Sequence, residues 1–176
     1  MARKKKNDAP RVALPHLQGH SCFGCGTANS SGLKMRFAVQ GDEVLSEFVL
    51  SPNHAGWESI AHGGIISTAL DEIMAWSVVA FMRRFFVTKS MSVRYFRPVP
   101  LGRTLQARGH ITQEGERGCH TYGELLDDQG FTLARSQGEM TYISTDRLSL
   151  APSKMREEME DLFQQIEAVL SKRSGG

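Results

Sequence analysis

A His-Gly-Gly tripeptide and two acidic residues share one uninterrupted apolar stretch. The tripeptide occupies residues 62–64, and the run 65–80 that follows has no proline and only two charged residues, Asp71 and Glu72. Two glycines in the first turn of a helix would leave backbone N–H groups uncovered at the positive end of the helix dipole, where a developing negative charge can be held. A carboxylate on the same helix could supply a general base or a nucleophile.

The spacing of these groups limits how they could act together. Asp71 follows His62 by nine residues and Gly64 by seven, so it shares the face of Gly64 but lies about 10 Å further along the helix axis. The two features can meet only on a bent substrate or across two subunits. The alternative is that the glycines allow close packing and that Asp71 is a satisfied polar residue at an interface. Glu72 is the rival carboxylate, about 100° around the helix.

The stretch 61–80 is predicted to be a central helix. At about 100° per residue, one side collects large apolar side chains and the other collects small or polar ones. The first set is Ile65, Ile66, Ala69, Ile73, Trp76 and Ala80, and the second is Gly64, Ser67, Thr68, Asp71, Ala75 and Val78. Since a helix of this kind is usually covered on both flanks, we expect it to lie inside the domain.

Alternation of polar and apolar residues predicts six strands around that helix. They are 33–39, 44–50, a strand starting at Thr88, 105–112, 119–126 and 131–143. The first two form a hairpin, and the last four are interpreted as a meander. Pro152 starts an amphipathic helix, which we expect to pack on its own sheet or on a dimer mate. The order of elements indicates an α+β fold, an antiparallel sheet curled around one long helix.

Length, charge and cysteine content place the chain in a broad class. Its 176 residues and net charge of +2 indicate one globular domain without strong attraction to nucleic acid. The longest apolar stretch contains Asp71 and Glu72, so we expect no membrane span. Three cysteines without a signal-like run favour a reducing cytoplasm. The predicted parts are a disordered basic tail (1–15), the main domain (16–148), and a C-terminal amphipathic helix and tail (149–176).

A second group with chemical potential contains His16, His20, Cys22 and Cys25. These are ligand types of a tetrahedral zinc site with one C-x2-C knuckle. The second knuckle is missing, and no βαβ pattern follows that would suggest a thioredoxin-like redox role. We favour a tight turn whose glycines and Asn29 tolerate positive φ and lead the chain into its first strand. We therefore expect no metal and no other cofactor.

Together these motifs resemble the hotdog-fold acyl-CoA thioesterases, within them the PaaI-like and THEM-type branch. Four pieces between residues 21 and 144 carry the resemblance. They are C-x2-CG-x2-N-x2-GL at 22–33, GWE-x3-HGG-x6-D at 56–71, the strand TKSMSVRYFRPVP, and the DDQG hairpin with its long final strand. The resemblance implies a hotdog domain over 16–148 and a homodimer made by joining two sheets edge to edge, or a homotetramer built from such dimers. It also implies that Asp71 of one subunit faces the HGG turn of the other.

The resemblance further implies thioester hydrolysis at that interface. The backbone N–H of Gly64, aided by Gly63, would polarise the carbonyl. Asp71 would activate water or attack directly, and Thr88 would orient the water. His62 would position the HGG turn or the thioester sulfur, or simply staple the loop. The expected substrate-binding residues are His54 and Trp57 at the rim, Met74 and Val78 in the acyl pocket, and Lys89 and Arg97 at the CoA phosphates.

The function expected from the sequence is that of a cytoplasmic acyl-CoA thioesterase that releases a free carboxylate and CoA. Its partners would be acyl-CoA and further copies of itself, without nucleic acid. A non-catalytic acyl-CoA-binding or scaffold protein could use the same fold and the same pocket. A hydratase of this fold is a third alternative, but its Asp/His helix pattern is not evident in the sequence. Trp57 could also belong to the core.

Overall fold

The computed structural model describes residues 9–172. One antiparallel sheet holds seven strands, and a two-stranded ribbon precedes the long helix. The elements in chain order are β1 (Val12–Ala13), β2 (Phe37–Gln40), β3 (Glu43–Val49), β4 (Ala55–Trp57), β5 (Ile60–Ala61), α1 (Gly63–Phe81), β6 (Phe86–Tyr95), β7 (Thr104–Gly115), β8 (Gly118–Leu126), β9 (Thr132–Tyr142), α2 (Thr145–Leu148) and α3 (Ser153–Ser171). The predicted antiparallel sheet with one long helix and a further C-terminal helix is confirmed.

The order of strands across the sheet is β1-β2-β3-β7-β8-β9-β6. Strands β7, β8 and β9 form a meander, but the prediction that β6 begins it is wrong, because β6 pairs with β9. The chain leaves β6 through a loop that crosses the end of the sheet. That loop is held by hydrogen bonds from Phe96 N–H to Leu133 O at 2.8 Å and from Gly102 N–H to Leu50 O at 2.9 Å. β6 is therefore an edge strand.

The long helix α1 lies against one face of the sheet, as predicted. Ile66, Ala69 and Ile73 are buried in the core that the helix shares with the strands. Gly109 on β7 is the point of closest approach, since a Cβ there would lie 2.6 Å from the carbonyl oxygen of Ile73. Of the described helices, α1 is the one long and apolar enough to cross a membrane, and 56% of it is buried inside the fold.

The two edge strands of the sheet, β1 and β6, differ in length. The short strand β1 pairs with β2, so the predicted disordered tail does not extend to residue 15; residues 1–8 lie outside the described part. At the opposite edge, β6 has ten residues, and none of them is buried. A long strand with one unpaired side offers a row of backbone groups to a further strand.

The N-terminal loop shortens the first predicted strand. Residues 33–36 are not part of β2, because their backbone bonds to the loop instead. Leu33 N–H donates to Phe23 O at 2.8 Å, and Met35 N–H donates to Gly24 O at 3.0 Å. These bonds hold the Cys22–Cys25 turn against the body of the domain.

The C-terminal helix α3 packs on its own domain. Leu162, Phe163 and Ile166 are buried in the main core, and the Phe163 ring meets the Phe85 ring edge-on with centroids 5.5 Å apart. This is the first of the two uses that its apolar stripe predicted.

Candidate active site

His62 caps the N-terminus of α1 with its own side chain. Its Nδ1 accepts the N–H of Gly64 at 2.9 Å. The expectation that the Gly64 amide is uncovered is therefore wrong within this chain, because a side-chain acceptor at the N-cap satisfies it. Since Nδ1 accepts, the neutral ring carries its hydrogen on Nε2. The N–H of Gly63 has no hydrogen-bond acceptor within residues 9–172 and is the first-turn donor left over.

Tyr95 joins this helix terminus, and sequence reasoning missed it. The Tyr95 hydroxyl donates to the Gly63 carbonyl at 3.0 Å and lies 2.6 Å from the Ser67 hydroxyl. Ser67 also donates to the Gly63 carbonyl at 3.0 Å. Alternation identified Tyr95 as a strand residue, but no local pattern links it to a helix more than 20 residues earlier. The contact fixes the last residue of β6 to the first turn of α1.

Asp71 forms its main contact with the other end of β6. The Thr88 hydroxyl donates to Asp71 Oδ1 at 2.9 Å. Burial raises the pKa of Asp71 above its ordinary value, the Thr88 hydrogen bond opposes that rise, and the nearby Cys22 thiol adds to it. Two residues predicted separately for the site, Asp71 and Thr88, are thus in direct contact, and burial moves the pKa of the carboxylate in the direction that suits a proton acceptor.

Glu72 faces different surroundings from its neighbour. Its carboxylate accepts from Trp76 Nε1 at 3.1 Å and lies 3.8 and 4.0 Å from the Cys22 sulfur. Burial raises the pKa of Glu72 to about 7, with a further rise from Cys22. The two adjacent carboxylates therefore serve separate environments, one beside the sheet edge and one beside the N-terminal loop.

The two predicted rim residues have different surroundings. His54 is buried, its Nδ1 accepts the Ser51 N–H at 3.1 Å, and its Nε2 lies 3.0 Å from the Ser31 carbonyl. Both ring nitrogens are therefore satisfied by backbone, so the prediction that His54 lines the substrate rim is wrong; the ring staples two loops. Trp57 on β4 is 78% exposed, which excludes the alternative that it belongs to the core.

Met74 and Val78, the predicted acyl-pocket residues, are both fully buried. They pack with Cys119 and Met140 in a small core cluster beneath the sheet. Their burial agrees with the expectation that α1 is covered on both flanks, and within this chain it leaves neither residue at an open pocket. Neither side chain reaches an open surface of this chain.

The two predicted CoA contacts already have partners on the surface. Lys89 Nζ lies 2.8 Å from Glu139 Oε1 on the neighbouring strand. The Arg97 guanidinium stacks over the Phe131 ring at 4.7 Å from its centroid. Their contact with phosphate stays a prediction. A denser group of basic side chains, from Arg83, Arg84, Arg117 and Arg147, lines a cavity of about 900 Å³ near the C-terminal end of α1.

The sequence was expected to form a tight turn without metal at Cys22 and Cys25, with zinc bound by these cysteines and two histidines as the alternative. The ligand atoms of Cys22, Cys25 and Glu72 all lie within 4.8 Å of one another. His16 is not among them, since its Nε2 lies 2.9 Å from the Gln18 amide nitrogen. A hydrogen bond with the Cys25 thiol lowers the pKa of Cys22 to about 5, and the same bond with burial raises that of Cys25. All three cysteines of the chain are free thiols.

One family model and one relative match parts of this chain. Residues 58–134 match the model of the Thioesterase superfamily. An uncharacterized protein of Schizosaccharomyces pombe is 35% identical over 72 residues, which are 40% of this chain and 41% of that protein. The match thus spans about two fifths of that relative's length.

Solved structures show the same architecture. The PaaI protein of the Escherichia coli phenylacetic acid degradation operon superposes with a TM-score of 0.59 at 18% identity, over 64% of this chain and 81% of its own. A hypothetical thioesterase of Streptococcus pneumoniae, solved with coenzyme A, gives 0.56 at 19% identity, over 58% and 80%. Variants of that pneumococcal protein with an aspartate or a threonine changed to alanine have the same fold.

Proposed function

We propose that this chain, a hotdog-fold protein of the PaaI-like thioesterase type, hydrolyses acyl-CoA thioesters to a free carboxylate and CoA. The observation that carries the proposal is the pair of Asp71 and Thr88 beside an unpaired sheet edge, with the capped His-Gly-Gly turn at the far end of the same strand. The superfamily match over residues 58–134 includes all of these groups. The coenzyme A bound by the pneumococcal relative supports CoA as the carrier of the acyl group.

A dimer through β6 would bring the separated groups together. Within one chain Thr88 lies beside Asp71, whereas Tyr95 lies beside Gly63. If two β6 strands pair antiparallel about an axis at Ser92, the 88–89 segment of one protomer, where β6 has a register irregularity, comes opposite Tyr95 of the partner subunit. Asp71 would then face the first turn of the partner's α1. Each dimer would hold two such sites, and the pairing would also cover the exposed edge. A tetramer of two dimers remains compatible with this arrangement.

The reaction would follow from these groups. The N–H of Gly63 in one protomer donates to the thioester oxygen, and the Nε2–H of His62 is a second donor beside it. Asp71 of the other protomer, held by Thr88, takes a proton from water while the water oxygen bonds to the carbonyl carbon. The carbon–sulfur bond then breaks, the CoA sulfur takes up the proton held by Asp71, and the acid product loses its remaining proton to solvent and leaves as the carboxylate. Direct attack by Asp71 would instead pass through a mixed anhydride that water hydrolyses.

Two cavities would hold the rest of the substrate. The arginine-lined cavity suits the phosphates of CoA, since guanidinium groups pair with phosphate oxygens in bidentate fashion. Val87, the neighbour of Thr88, lies at its border. A second cavity of about 520 Å³ between α1, β6 and α3 is lined by apolar side chains such as Trp76, Phe86 and Met159. It replaces Met74 and Val78 as the place for the acyl group.

The experiment is a panel of short, long and aromatic acyl-CoAs assayed for release of the CoA thiol. We expect turnover by the wild type, loss of kcat in Asp71→Asn, and retention of most activity in Glu72→Gln. Loss of turnover in Glu72→Gln alone would reverse the assignment of the base. If the wild type binds acyl-CoA in calorimetry but releases no CoA above background, the protein is a binding or scaffold protein and the proposal is wrong.

A further inference from the structure

We propose that Cys22, Cys25 and Glu72 form a zinc site that ties the N-terminal segment to the central helix. The three side chains line the cavity of about 520 Å³ proposed for the acyl group but take no part in the chemical step, and the site is tested by metal binding rather than by turnover. The ligand atoms come from two distant parts of the chain, a turn at its start and the middle of α1. They nevertheless converge within 4.8 Å of one another.

The Cys22–Cys25 turn is closed by backbone hydrogen bonds. Gly26 N–H donates to Cys22 O at 3.0 Å, and Ala28 N–H donates to His20 O at 3.1 Å. The Glu72 carboxylate occupies the space that a Cβ of Gly24 would fill. A glycine between the cysteines therefore allows the carboxylate to reach them.

The contacts between Cys22 and the Glu72 carboxylate are long, although the carboxylate also accepts from Trp76 Nε1 at 3.1 Å. The Cys22 sulfur lies 3.8 and 4.0 Å from the two oxygens of Glu72, which is long for a thiol hydrogen bond. Within residues 9–172 no lysine or arginine forms an ion pair with this carboxylate. Tetrahedral zinc holds a sulfur and an oxygen ligand about 3.5 Å apart. A bound ion would thus bring the Cys22 sulfur and the Glu72 oxygens about 0.3–0.5 Å closer together, and the most widely separated ligand atoms, which lie within 4.8 Å, up to about 1 Å closer.

Zinc would supply a positive charge between the two sulfurs and the carboxylate. Two thiolates and one carboxylate around Zn²⁺ carry a net charge of −1, and the two thiol protons pass to solvent on binding. The fourth position faces the cavity of about 520 Å³ that His20 also lines. The site would link the turn to α1 at the residue that follows Asp71, and its proposed role is to hold this part of α1 against the N-terminal segment.

The test measures metal on the full chain, expressed with zinc and purified under reducing conditions. We expect one zinc per chain after dialysis, an X-ray absorption spectrum with two sulfur ligands at about 2.3 Å, and thiolate-to-cobalt charge-transfer bands after exchange with Co²⁺. Cys22→Ser and Glu72→Gln should each lose the stoichiometric metal. Cys119→Ser is the matched control, because its thiol lies in a separate core cluster, and it should keep the metal.

Two results would overturn the site. One is a wild-type protein that retains no stoichiometric zinc and gives no thiolate–cobalt bands. A wild-type protein that carries a Cys22–Cys25 disulfide in place of metal counts as the same result. The other is metal that persists in the double variant Cys22→Ser/Cys25→Ser. If the variants fail to fold, the X-ray absorption spectrum of the wild type decides, and a first shell without two sulfurs refutes the proposal. None of these readouts uses substrate, so their outcome is separate from that of the hydrolysis assay.

Discussion

Replacing Gly63 by proline removes one hydrogen-bond donor and little else. Gly63 is the first residue of α1, a position where proline is favoured because its missing N–H bonds to nothing within the helix. The residue before it, His62, has φ −64° and ψ 138°, an extended conformation compatible with a following proline. A Cβ at Gly63 would meet the Tyr95 hydroxyl at 3.6 Å, an ordinary contact. The helix should therefore form normally.

The expected cost to catalysis follows from the proposed role of that donor. Removal of one preorganised donor to a developing oxyanion lowers kcat by about 10²–10³, or about 2.7–4 kcal/mol. Gly63→Pro should show this loss in steady-state assays of CoA release. Gly63→Ala keeps the N–H and adds the same Cβ atom that proline adds. Its kcat should therefore remain close to that of the wild type.

The comparison of the two variants separates chemistry from crowding. Equal losses in Gly63→Ala and Gly63→Pro would show that the Cβ disturbs the Tyr95 contact, and the donor would be unproved. A Gly63→Pro enzyme with wild-type kcat and an unchanged melting temperature would refute the reasoning, because the reaction would then not use the Gly63 amide. In that case the Nε2–H of His62 would be the donor to examine next.

Three further variants test other parts of the account. Thr88→Ala should lower kcat/KM about tenfold, since a hydrogen bond to a carboxylate contributes about 1.5–3 kcal/mol and this one is partly exposed. It should also raise the pKa that Asp71 gives to the pH profile of kcat/KM, because the Thr88 hydrogen bond lowers that pKa. Thr88→Ser keeps the hydroxyl and should do neither. Ser92→Lys would place like charges opposite one another near the proposed two-fold axis, so light scattering should show dissociation with loss of activity. Thr112→Lys, also exposed but on the inner strand β7, should leave the dimer intact, and a monomeric wild type with full activity would disprove the interface. Gly109→Ala should destabilise the fold by about 1–3 kcal/mol in urea unfolding, because its Cβ would overlap the Ile73 carbonyl, and an unchanged midpoint would mean that the helix can shift away.

Local periodicity was sufficient to predict the helix and the main strands. The run 61–80 and the alternating segments after Thr88 correspond to α1 and β6 to β9 within a few residues, because burial of one face imposes the pattern directly on the sequence. The place of β6 at the sheet edge was not predictable in this way. It depends on a loop held by backbone hydrogen bonds, and backbone groups leave no residue signature.

The candidate site, like the fold, was predictable from the sequence only in part. Asp71 and Thr88 were each predicted as site residues, but their direct hydrogen bond was not, because Thr88 was expected to orient a water molecule. A structural hydrogen bond of His62 within the loop was one of its two expected roles, but its position as N-cap acceptor for Gly64 was not predicted, since histidine is not among the residues usually expected there. The meeting of Glu72 with Cys22 joins positions 50 residues apart, and no spacing rule connects a turn with a helix at that distance.

The most direct test of the composite site mixes two inactive variants. Asp71→Asn lacks the carboxylate, and Gly63→Pro lacks the amide donor, so neither homodimer should turn over acyl-CoA. If each site takes Asp71 from one chain and Gly63 from the other, a mixed dimer contains one intact site. Co-refolding equal amounts should then restore about a quarter of wild-type activity, because about half of the dimers are mixed and each has one of two sites intact. A mixture that stays as inactive as its components, although mixed dimers are present, would contradict the account.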